Sequence, residues 1–267
     1  MITKRYIGIE YLRGLLRRGR SSFTRQDAAL ELDRQGAGLS NILMRLEQAG
    51  WIMPVSRGFY AVIDPGSQAF GFAPPQIFLD DWAKHRGFLY YVAGVSAAEI
   101  HGAAHQRSQV YQVVADRSLR PFQYGDLRVS FFRKKPIIEK MWEQKTVPSG
   151  YLRVGTAAVT AYDLLYLPQA CRSLSRVATI LVELGEALTS SSLAALNEMN
   201  CETPPLQRLG WLLERTRFAG RARKLHDWVD AEAPPRAVLV PGMPVGGSAW
   251  DRRWRLLVNA EVEGDLP

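Results

Sequence analysis

Cysteine is nearly missing from this chain. Cys171 and Cys201 are the two in 267 residues. That excludes a disulfide framework and a paired Cys-x-x-Cys metal site, and both thiols read as buried or incidental side chains of a reducing compartment. Long apolar runs are lacking too. The longest notable one, Phe88 to Val95, has eight residues, whereas a spanning helix needs about 20. Met1 to Tyr6 carries two basic residues without an apolar export segment behind it, so the expectation is a cytoplasmic protein with no membrane partner. No G-x-x-x-x-G-K-[ST] loop, no G-x-G-x-x-G between strand and helix, and no H-E-x-x-H occurs. No catalytic residue, metal or cofactor is therefore expected.

What is present is an ordinary folding composition, 47% apolar and 22% charged, which excludes a disordered chain. The length suggests about two domains. The net charge is +8, and it is unevenly placed. Residues 1–63 hold 10 Lys/Arg against 5 Asp/Glu, residues 64–150 hold 11 against 8, and residues 151–267 hold 13 of each. Seven cations and one anion lie in the first 25 residues. A basic cluster of this kind is either a solvated helix face or the footprint of a nucleic-acid-binding head.

The local pattern favours the head. Ile9, Leu12, Leu15 and Leu16 have helical spacing, with Gly19 as a stop. Thr24 and Asp27 form a carboxylate variant of the capping box, opening a short helix with Ala28, Ala29 and Leu32 inside. Gly36 and Gly38 read as a turn. Leu39, Ile42, Leu43 and Leu46 then mark a third helix closed by Gly50. Two β-prone runs, Trp51–Val55 and Phe59–Ile63, flank the loop Ser56-Arg57-Gly58. Three helices and a hairpin with a basic tip predict a winged helix-turn-helix over residues 1–63. The third helix would read DNA through Ser40, Asn41, Met44 and Arg45. Arg17, Arg18, Arg20, Thr24, Arg25 and the tip residue Arg57 complete the predicted surface on double-stranded DNA. Winged helices also serve as protein–protein modules, and Glu47 on the third helix is unfavourable near DNA.

Residues 64–76, with Asp64-Pro65-Gly66 and Pro74-Pro75, read as a linker. Residues 77–267 read as a larger mixed α/β domain, so the predicted class is α+β. Ser96 and Glu99 suggest a capping box. Glu99, His101 and His105 could ligate a metal from one helix face, although capping or core hydrogen bonding fits them better. Arg133, Lys134 and Lys135 form a basic run just after a strand. His226, Asp227 and Asp230 read as a surface turn, and the tryptophans at 211, 228, 250 and 254 as core or interface anchors.

Four segments occur in a telling order: R-G-F-Y-A-V at 57–62, S-A-A-E-I-H-G-A-A-H at 96–105, L-Q-R-L-G-W-L-L-E at 206–214 and W-R-L-L-V-N-A-E-V-E-G-D at 254–265. Together they resemble the AbiEi antitoxin family of abortive-infection toxin–antitoxin pairs. The resemblance implies a non-enzymatic transcriptional autorepressor. Its winged helix would bind repeats upstream of its own operon, and its C-terminal domain would neutralise a nucleotidyltransferase-like toxin that acts on tRNA, with or without a stable complex. Ser96, His101, Gln207, Arg208 and Asn259 fall inside the motifs and become candidates for the antitoxin domain. Two alternatives stay open: a regulator whose C-terminal domain senses a small ligand, and an enzyme acting on nucleotides, RNA or a partner.

Overall fold

The computed structural model describes residues 4–103, 109–167, 171 and 173–262. These form ten α-helices and three sheets, a mixed α+β architecture. Helix α1 (Lys4–Arg17), β1 (Ser22–Thr24), α2 (Arg25–Leu32), α3 (Gly36–Gln48), β2 (Ile52–Ser56) and β3 (Phe59–Val62) come first. The Thr24 Oγ1 accepts the Asp27 N–H at 3.0 Å and the Asp27 carboxylate accepts the Thr24 N–H at 2.9 Å. This reciprocal cap starts α2, and such caps are worth about 1 kcal/mol.

Two local details differ from the sequence reading. Gly36 and Gly38 belong to α3, and the turn before it is Asp33–Gln35, with Asp33 left-handed at φ 49°. Ser22–Thr24, ending on the cap residue, adds a third strand to the hairpin, giving the order β1-β3-β2. Ser56 pairs with Phe59, so the hairpin loop is Arg57-Gly58, with Gly58 at φ 76°, a conformation that favours glycine.

This small sheet has no free face. Ile52 and Val62 join Leu12, Leu15, Phe23, Leu39 and Leu43 in one core. Met53, Val55, Phe59, Ala61 and Ile63, alternate residues of the same strands, join a second core with Phe78, Trp82, Tyr90 and Val92. Residues 64–76 hold the short 3₁₀ turn Gln68–Phe70 and the start of another, Pro75–Ile77, and Ala73 is buried in that second core.

The second core lies on one face of a six-stranded sheet. Its strands are β4 (Tyr90–Val92), β5 (Tyr111–Ala115), β6 (Phe122–Tyr124), β7 (Leu127–Arg133), β8 (Trp142–Val147) and β9 (Gly150–Gly155), in the order β6-β7-β5-β4-β9-β8. Helix α4 (Leu79–Arg86) covers that face, with Leu79, Trp82 and Ala83 buried in the core. The other face, reached by Tyr91 and Val114, meets the helical layer. Tyr90–Val92 is buried on both sides, so β4 is apolar throughout instead of alternating.

The helical layer contains α5 (Gly94–Ile100), α6 (Ala157–Tyr166), α7 (Leu174–Leu184), α8 (Ser190–Glu198), α9 (Thr203–Leu213) and α10 (Arg223–Glu232). The His226–Asp230 segment, expected as a turn, is the middle of α10, whose Leu225 and Val229 are buried. The expected Ser96 cap is also corrected: α5 begins after Ala93, and Ser96 is a buried residue within the helix. A third sheet, β10 (Ala237–Val238), β12 (Leu256–Val258) and β11 (Ala249–Asp251), closes the chain. Among the described residues no single helix is long and apolar enough to cross a membrane. The bent pair around α7 and α8 that approaches such a composition is packed in the core through Val177, Leu181, Leu193 and Leu196.

Candidate functional site

The first candidate surface is the outside of α3. Leu39, Leu43 and Leu46 turn inward, and the helical period leaves Ser40, Asn41, Met44, Arg45 and Gln48 exposed on the opposite side. Arg57 is exposed at the tip of the hairpin. Arg25 reaches α3, donating to the Ser40 Oγ at 2.8 Å and to the Gly36 carbonyl at 3.3 Å. It therefore anchors the start of α3, and Ser40 in turn donates to the Gly36 carbonyl at 3.0 Å.

The other predicted cations have carboxylate neighbours. Arg18 grips Glu31 through both oxygens, at 3.0 and 2.7 Å, while Arg20 lies 3.2 Å from Asp27. Arg17 is 3.9 Å from Glu10, and Arg13 is 2.7 Å from the same carboxylate. These pairs are exposed, so each contributes at most about 1 kcal/mol, and the guanidiniums stay at the surface. Burial tends to raise the Asp27 carboxyl, but the two Thr24 hydrogen bonds and Arg20 outweigh it and hold it below its ordinary range. Thr24 is thus occupied as a cap.

The second candidate region is the larger layer. Ser96 Oγ accepts the Gln112 N–H at 3.0 Å and tethers α5 to β5. The His101 Nε2–H donates to the Gly155 carbonyl at 2.7 Å, with Glu143 3.9 Å from Nδ1. His105 lies outside the described residues, and among the described residues no three metal-ligating side chains come together.

Gln207 is fully buried, and its Nε2 donates to the carbonyls of Trp254 and Arg255 at 3.0 and 3.3 Å and of Pro235 at 3.2 Å. Arg208 donates to the Val238 carbonyl at 2.9 Å. Asn259 pairs with Val240 in both directions, each bond 3.0 Å, extending the β10–β12 ladder with a side chain. The five motif residues therefore hold backbone segments together. Two motifs meet directly: Gln207 and Gly210 of α9 and Glu214 just past its end all engage Trp254, whose indole N–H donates to Glu214 at 2.6 Å.

One cluster was visible in the sequence only as a basic run. Lys134 extends β7, its N–H bonded to the Ala115 carbonyl at 3.0 Å. Its ammonium is 3.5 Å from Asp163 Oδ1 and 3.5 Å from the Tyr91 hydroxyl, and 4.8 and 5.1 Å above the rings of Tyr162 and Tyr166. Asp163 is completely buried, which pushes its carboxyl above the ordinary range while Lys134 pulls it back. Asp163 sits in an α6 segment that reads as plain apolar helix, so no local pattern announced the pair.

Residues 90–215 match the family model for the AbiEi antitoxin C-terminal domain. The chain carries an AbiEi antitoxin C-terminal domain. The family is one of antitoxins, proteins defined by a toxin that they counter. The AbiEi match opens at Tyr90, the first residue of the central strand β4, and ends two residues beyond α9, so it takes in the six-stranded sheet and α5–α9. A crystal structure of the RV2827C protein from Mycobacterium tuberculosis has a similar fold, with a TM-score of 0.67 and 16% identity over 94% of this chain and 90% of that one. No curated protein matches the chain at a significant level.

Proposed function

We infer that this AbiEi antitoxin represses its own operon through a winged helix-turn-helix of residues 1–63, joined by residues 64–76 to an antitoxin domain of residues 77–267. The observation that carries the reading is the exposed row Ser40, Asn41, Met44 and Arg45 on α3, with Arg57 on the neighbouring hairpin. A helix presenting Asn and Arg outward has the donors and acceptors that base edges in a major groove require. Arg57 supplies a contact to the flanking backbone. Arg17, Arg18 and Arg20 supply phosphate contacts, for which their intramolecular carboxylates must yield.

The antitoxin domain counters a nucleotidyltransferase-like toxin without itself acting as an enzyme. The motif side chains Ser96, His101, Gln207, Arg208 and Asn259 support this role by shaping the fold, since their polar atoms engage internal backbone. A gel shift on the upstream DNA of its own gene tests the repressor reading. The expected result is a shift that survives competitor DNA and weakens with salt. A shift indifferent to sequence would reduce the head to a phosphate binder.

A further inference from the structure

The Lys134 cluster lines a cavity of about 420 Å³ that the antitoxin reading leaves unused. Arg133 and Lys135 stand exposed at its rim, and Lys134, nine-tenths buried, forms its floor with Tyr162 and Tyr166. An ammonium has three N–H donors. Among the described residues Asp163 and Tyr91 take two, both at 3.5 Å, the long limit of a hydrogen bond, and beyond them the ammonium has only the faces of Tyr162 and Tyr166, at 4.8 and 5.1 Å. Even with Asp163 and Glu202 counted, three cations face two carboxylates. Burying a lysine at such long distances from its partners costs stability, and a bound anion at the open side would offset that cost.

The rest of the wall limits what carries the anion. Tyr162 and Tyr166 stack at 5.2 Å with an interplanar angle of 22°, and Tyr166 is half-buried. Glu202 closes the far side, and its backbone N–H is held by the Tyr162 hydroxyl at 2.9 Å. A carboxylate repels phosphate but accepts hydrogen bonds from ribose hydroxyls, and a half-open aromatic ring takes a base. The geometry points to a nucleotide-binding site, with Arg133, Lys134 and Lys135 on the phosphate and Tyr166 and Glu202 on the nucleoside. It rests on residues apart from the α3 surface, so it stands or falls independently of DNA binding.

Calorimetric titration of the full chain with AMP, GMP, adenosine and inorganic phosphate tests it. AMP or GMP is expected to bind, and adenosine to bind at least about tenfold more weakly. The double variant Arg133→Ser/Lys135→Ser, exposed and outside the core, should lose about tenfold in nucleotide affinity with an unchanged circular dichroism spectrum. Glu202→Gln should keep its response to phosphate while its preference for AMP over phosphate falls. Equal binding of phosphate and AMP by the native chain overturns the nucleoside half of the assignment. No binding of either nucleotide at millimolar concentration, or binding that the double variant leaves intact, overturns it altogether.

Discussion

The indole of Trp254 fills the space that any side chain at Gly210 would occupy: a Cβ there would lie 1.9 Å from the ring. Trp254 is fully buried, and Glu214, at the end of α9, takes its N–H. Glycine at 210 is therefore a packing requirement for seating the last strands on α9. Gly210→Ala is expected to cost about 3 kcal/mol or more, at or above the top of the overpacking range. Trp254→Ala should cost about 3–5 kcal/mol. Urea denaturation monitored by circular dichroism measures both, and a Gly210→Ala protein of native stability would contradict this packing.

The buried pair Lys134–Asp163 predicts an asymmetry. Asp163→Ala leaves an ammonium buried without its carboxylate and should destabilise by about 3–5 kcal/mol. Replacing both partners, as Lys134→Met with Asp163→Leu, should recover most of that loss, because desolvation of the two charges is then avoided. Comparing the single and double variants in the same denaturant series decides the matter. Additive losses would mean that the pair is not coupled.

Burial pushes the Cys201 thiol up to about 11. Its thiolate is thus scarce at neutral pH, and alkylation of the folded chain by iodoacetamide should be slow, rising only as pH approaches that value. Mass spectrometry of the peptide containing Cys201 reads the rate. Fast modification at pH 7 in the folded state would contradict the burial.

These cases also mark what was legible beforehand. Three helices, the hairpin, Gly50 as a stop and the Thr24–Asp27 cap could be read because each rests on residues close together in sequence. The first strand, Ser22–Thr24, could not, since three residues acquire strand geometry only by pairing with β3. Helices α8 and α10 were hidden by their Ser-rich and charged stretches, which bury few apolar residues: Leu193 and Leu196 in one, Leu225 and Val229 in the other. The motif residues were found as a pattern, but their work is long-range, as with Gln207 reaching Trp254, and spacing carries no sign of that. Lys134 and Asp163 are 29 residues apart, and only the sheet–helix packing joins them.

The Asp27 cap makes α2 sensitive to acid. Its carboxyl is held below the ordinary range in the folded chain, so its contribution is complete above the unfolded value, roughly pH 4. It is lost as pH falls through the lower, folded value. Asp27→Asn should flatten this part of the acid denaturation curve and lower stability at neutral pH by about 1 kcal/mol. An unaltered acid curve would show that the cap is not coupled to folding.

On the proposed DNA surface, Arg57→Ala should weaken binding evenly across sequences and reduce the salt slope by about one. Asn41→Ala should instead relax preference at one position, at a cost of about 1–3 kcal/mol for the preferred base. Filter binding over a salt series separates the two effects. Identical slopes for native and Arg57→Ala proteins would remove the hairpin from the interface.

The small sheet between two cores has a mechanical consequence. A chain stopped at residue 63 would present Met53, Val55, Phe59, Ala61 and Ile63 to water, so the front part is no portable module. Trp82 donates to Ser56 at 3.0 Å and Ser22 to Asp81 at 2.7 Å, which rivets the sheet to α4. One core thus serves both the small sheet behind α3 and the six-stranded sheet, and a change that loosens it loosens both.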